Sequence, residues 1–95
     1  MSRLFNDLGR VVTTRPVAAG MSEDPKYNEF ILRSLQRYKG CDWGDLGADD
    51  KQLNDQALAT GQDRILARYN NSAGDIYIIT EWDRSYTTIM LTTDY

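Results

Sequence analysis

The chain of 95 residues contains no histidine. Histidine is the commonest general base and the commonest metal ligand, so its absence removes every Ser-His and Cys-His nucleophile arrangement. An enzyme becomes the minority expectation. Cysteine is nearly absent too: Cys41 stands alone and has no intrachain disulfide partner. Neither a signal peptide nor an apolar run of membrane length is found, so a reducing, cytoplasmic compartment is expected. No glycine-rich loop follows a strand in the manner of a nucleotide cradle, and no cofactor is expected. Excess positive charge is missing as well. Eleven Lys/Arg stand against fourteen Asp/Glu, which gives no electrostatic footprint for direct nucleic-acid binding.

Hydrophobic residues make up 41% and charged residues 26% of the chain. These are ordinary globular fractions and argue against wholesale disorder. Residues 1–95 are read as a single domain with a modest core. The net charge of -3 is unevenly spread. Residues 1–41 carry seven Lys/Arg against four Asp/Glu, whereas residues 42–63 carry six Asp against Lys51 alone. An acidic middle segment repels a nucleic-acid backbone and attracts basic surfaces.

The stretch from Asp63 to Leu91 organises the rest. Ile65, Tyr69, Ile76, Tyr77, Ile78, Ile79, Trp82, Tyr86 and Ile89 are β-branched or aromatic types that suit a pleated surface. Asn70 to Asp75 and Asp83 to Ser85 punctuate them as turns. The pattern predicts a three-stranded antiparallel meander. Both faces are largely apolar over Ile76 to Ile79, which places that strand centrally.

Upstream, Leu4, Phe5 and Leu8 have the spacing of one helical turn, and Arg10 to Thr13 reads as a short first strand. Thr14 is placed to cap a helix over Val17 to Met21, with Pro16 in its first turn. Ser22 or Asp24 caps the next helix, with Pro25 at its start. Tyr27, Phe30, Ile31, Ser34, Leu35 and Tyr38 follow a 3.6-residue period, ending at Lys39-Gly40. A loop over Cys41 to Gly47 precedes a third helix that begins near Asp49 and stops at Gly61. The fold class is α+β: a small, mostly antiparallel sheet, made of the C-terminal meander plus one short N-terminal strand, with helices packed on one face. The first strand can lie at either edge of the meander, and an open edge invites pairing with a second copy of the chain.

Candidate sites are weighed against plainer structural roles. The Asp42–Asp55 stretch has the carboxylates a hard cation wants, but its spacing does not fit a calcium loop, and helix capping explains several of its acids. No metal is expected. Asp42, Asp45, Glu81 and Asp83 could pair for acid/base work, yet ion pairing with Arg64, Arg68 or Arg84 explains them more simply. Arg33 and Arg37 also read as surface ion-pair formers, and Cys41 as a partly buried small residue. Trp43 and Trp82 sit among charges. Trp82 shares a strand face with Ile76 and Ile78 and is expected at the core or its edge; Trp43 is equally a core anchor or an exposed interface anchor.

Three segments also carry a resemblance: SLQRYKGCDWGD at Ser34 to Asp45, LND at Leu53 to Asp55, and YIITEWDRSYTTIML at Tyr77 to Leu91, preceded by LGRVVTTRPVAAGM. Together they resemble a family of small bacterial proteins carried on plasmids, phages and integrative elements, whose members are labelled plasmid-related or restriction-system components. The resemblance implies mobile-element ancestry. Combined with the residue-level reading, the expectation is a non-enzymatic protein-binding module. Its acidic surface, built from Asp42, Asp45, Asp49, Asp50 and Asp55 with Trp43 as anchor, would occupy a basic nucleic-acid channel on a host defence complex, as an anti-CRISPR or anti-restriction protein does. A homodimeric structural or regulatory module and a small carboxylate-dependent enzyme are the alternatives.

Overall fold

The structure is a computed structural model and describes residues 4–95. Four strands and three α-helices follow in the order β1 (Arg10–Thr13), α1 (Arg15–Glu23), α2 (Pro25–Lys39), α3 (Ala48–Thr60), β2 (Ile65–Tyr69), β3 (Ile76–Thr80) and β4 (Tyr86–Leu91). A single 3₁₀ turn, Thr92–Asp94, follows β4. The sheet order is β1-β4-β3-β2. The meander is antiparallel, and β1 joins it parallel to β4 with Val11 opposite Thr87. The α+β class, the meander and the central position of β3 agree with the sequence reading.

Alternation builds the core. Ile65, Ala67 and Tyr69 on β2, Ile76, Ile78 and Thr80 on β3, and Thr87 and Ile89 on β4 are all buried on one face. Val17 of α1, Ile31 and Tyr38 of α2 and Ala57 of α3 join them, together with Phe5, Leu8 and Trp43. A line of hydroxyls crosses this core. Thr87 Oγ1 donates to Leu8 O at 2.7 Å, so its partner Thr80 Oγ1, also at 2.7 Å, must be the donor to Thr87. The Tyr38 proton is then shared between Thr80 Oγ1 at 2.7 Å and Ile65 O at 3.2 Å. Each hydroxyl has one proton, and the count fixes the direction of the chain. It ties α2, β3, β4 and the N-terminal segment together, and burial pushes the Tyr38 phenol well above its usual range.

Two local expectations are corrected. Leu4 to Gly9 is not helical; Phe5 N donates to Lys39 O at 2.7 Å, and the segment runs irregularly so that both Phe5 and Leu8 reach the core. Thr14 precedes α1, but its hydroxyl donates to Asp94 Oδ2 at 3.0 Å instead of capping the helix. Asp24 does cap α2, accepting from Lys26 N at 2.9 Å. Gly61 closes α3 in the left-handed conformation with φ 69°.

The two sheet edges differ. On β2, Leu66 and Arg68 direct their backbone away from β3. Leu66 is taken by Asn54 of α3, while Arg68 N donates to Trp43 O at 3.3 Å and Arg68 O accepts from Asp45 N at 2.7 Å. That edge is closed. At the other end, Arg10 N and Thr14 N donate to Ser85 O and Ile89 O of the β4 side, so Val11 and Thr13 face outward.

Candidate functional site

The loop between α2 and α3 is held at its base by Asp42. Its carboxylate receives Arg37 Nε at 2.7 Å and Gly44 N at 3.0 Å, and its carbonyl receives Tyr69 OH at 2.7 Å. The Arg37 hydrogen bond holds the Asp42 carboxyl below the usual carboxylate range and raises Arg37 in turn. Trp43 then turns inward. It is 3% exposed, its ring meets Phe5 and Tyr38 edge-on, and Nε1 donates to Asp55 Oδ1 at 3.0 Å. Gly44 follows at φ 77°, where an added Cβ would overlap Arg68 O. Asp45 completes the attachment by accepting from Asn70 N at 2.9 Å.

Beyond this fixed loop the first turn of α3 carries Asp49 and Asp50, both exposed, at the positive end of the helix. Leu53 lies on the same side of the helix, three and four residues on, and is 61% exposed. A groove of about 450 Å³ runs between this turn and β2–β3. Asp45, Leu46, Asp50 and Leu53 form one wall; Arg64, Leu66, Arg68 and Tyr77 form the other. The second wall is itself well ordered by pairing. Arg68 Nη2 donates to Asp75 Oδ2 at 2.7 Å, Arg64 Nη1 donates to Tyr95 OH at 2.7 Å, and Tyr95 packs edge-on against Tyr77.

The six residues singled out from the sequence therefore separate. Asp45 and Asp50 line the groove, with Asp49 next to Asp50 on the first turn of α3. Asp42 and Asp55 hold the loop and the indole. Trp43 belongs to the core, which removes it as a surface anchor: the αL glycine that follows lets the loop bend back onto Arg68 and carry the ring inside. Trp82 moves the other way. It is 68% exposed because β3 ends at Thr80 and the chain turns through Glu81 to Arg84, so the alternation that would have carried it inward has stopped.

Leu53, Arg64, Arg68 and Tyr77 were not singled out as site residues. No sequence signal marks Leu53: with Ala57 and Leu58 it reads as part of one apolar helical stripe, and it is the burial of Asn54 beside Ala57 that turns Leu53 outward. Among the described residues no group of three His, Cys, Asp or Glu converges as a metal site. The carboxyl of Asp83 is held below its usual range by hydrogen bonds from Ser85, the opposite direction from that of a general acid. No helix among the described residues is long and apolar enough to cross a membrane. Comparison with protein-family models, with curated proteins and with solved structures finds no match for this chain.

Proposed function

We propose that the protein is a non-enzymatic binding module whose α3 groove receives a basic segment of a partner protein. The observation that carries this is Leu53, an exposed apolar side chain set beside Asp49 and Asp50 at the rim of a groove. A leucine in that position fits an interface centre, and the carboxylates around it fit a charged rim that steers a cationic partner. Leu53 takes the place that Trp43 holds in the sequence reading. A basic nucleic-acid channel of a CRISPR or restriction complex has the required charge, and occupying it would inhibit that complex. Capture of partners on the immobilised chain at low and high salt tests the proposal. A capture that neither salt nor the D49N/D50N double variant reduces contradicts it.

A second reading, self-association, is favoured by the β1 edge alone. Val11 is exposed there and faces away from β4, whereas the β2 edge is closed. A monomeric mass by light scattering at high protein concentration would exclude it.

A further inference from the structure

At the far end of α3 from the groove, Trp82 stands beside a hollow of about 860 Å³ whose walls include Asp7, Gly61, Asp63, Asp83 and Arg84. The indole is presented by a turn with little freedom. Arg84 is held at φ 60°, its Nη1 donates to Asp63 O at 2.8 Å and Glu81 O at 3.2 Å, and its Nη2 donates to Ala57 O at 3.1 Å. Ser85 N donates to Asp83 Oδ1 at 3.0 Å and closes the turn. A rigid turn that leaves its largest side chain in solvent is pre-organised for contact, because the ordering cost is met by the fold before any partner arrives.

The chemistry of the hollow selects the occupant. Among the described residues three aspartates, Asp7, Asp63 and Asp83, line the hollow together with the indole, and the one cation in its walls, Arg84, donates to backbone carbonyls at and just beyond the end of α3. Gly61 has open space where a Cβ would stand, so the wall on that side is low. An indole face attracts an ammonium or guanidinium and covers the alkyl stem behind it, and nearby carboxylates strengthen the attraction. Phosphate-bearing ligands are repelled by the same charges. We infer that the hollow is a docking site for a lysine or arginine side chain of a partner polypeptide, stacked on Trp82 and faced by Asp7, Asp63 and Asp83. This surface is separate from the α3 groove and stands if the groove reading fails.

The test titrates the full chain with hexalysine, hexaarginine and hexaglutamate while following tryptophan emission and backbone amide shifts. Trp43 is buried and serves as an internal reference. The expected result is a saturable change with both cationic peptides, none with hexaglutamate, and shifts centred on residues 61–63 and 82–84. W82A should weaken the binding by about tenfold, as loss of an aromatic hot spot does, with D63N intermediate. Shifts confined to the first turn of α3, or binding equal in W82A and the parent chain, would overturn the inference while leaving the groove reading intact. Unchanged Trp43 emission in W82A confirms that the variant is folded.

Discussion

Asn54 pairs with the backbone of Leu66 as a neighbouring strand would: Nδ2 donates to Leu66 O at 2.7 Å and Oδ1 accepts from Leu66 N at 3.2 Å. One helical side chain thus closes the β2 edge at Leu66, while the loop at Trp43 and Asp45 closes it at Arg68. Replacing Asn54 with leucine leaves a part-buried donor and a part-buried acceptor without partners, each worth about 1–2 kcal/mol at that burial. Asn54→Leu should therefore lower stability by about 2–4 kcal/mol in denaturant titration. It should also promote self-association, seen by light scattering, because an uncovered edge pairs with other chains.

The two tryptophans should respond oppositely to truncation. Trp43→Ala removes a buried ring and is expected to cost about 3–5 kcal/mol. Trp43→Phe, which keeps an aromatic ring but loses the hydrogen bond to Asp55, should cost about 1–2 kcal/mol. Trp82→Ala should stay within about 0.5 kcal/mol of the parent. Thermal melts of the three variants separate these outcomes.

Gly44→Ala places a methyl group against Arg68 O at a backbone angle that L-residues rarely adopt. Either the loop or β2 must move. A loss of about 3 kcal/mol or more is expected, with the Trp43 emission shifted to the red as its ring loses its seat.

Alkaline pH should unfold the protein through its buried phenols. Burial raises both Tyr38 and Tyr69 above the ordinary value of 10.0, and the Asp42 charge adds to the effect at Tyr69. The native state then holds protons that the unfolded state has released above that value, so stability is constant below about pH 10 and falls as pH rises beyond it. Tyr38→Phe should be less stable at neutral pH, since Thr80 Oγ1 loses its donor, yet its stability should fall less steeply above pH 10. Denaturant midpoints measured across the alkaline range provide the check.

Strand periodicity carried most of the fold. The alternation in Ile65–Tyr69 and the stripe from Tyr27 to Tyr38 are local consequences of burial on one face, the apolar run Ile76–Ile79 reflects a strand buried on both, and such patterns are visible in any sequence that has them. Leu4 to Gly9 misled because Phe5 and Leu8 are both buried by tertiary contacts at a spacing that also suits a helix. The site was legible in part. Asp45, Asp49 and Asp50 stand out as charges, but the opposite wall comes from β2 and β3, and no local pattern reports which strand faces a helix N-terminus across a loop. Trp43, for which the sequence leaves core and surface equal, lies in the core, and Trp82, expected at the core or its edge, lies in solvent; Gly44 and Arg84 both adopt positive φ, and chain reversals at such points decide on which side the nearby indole lies.

The most direct test of the binding-module account is the salt dependence of affinity for a captured partner, measured by calorimetry with the parent chain, D49N/D50N and Leu53→Ser. The account predicts that parent affinity falls as salt rises, that the double variant binds about tenfold more weakly with a flatter salt response, and that Leu53→Ser weakens binding at every salt concentration. Equal affinity in all three proteins, or a salt response that the double variant retains in full, would contradict it.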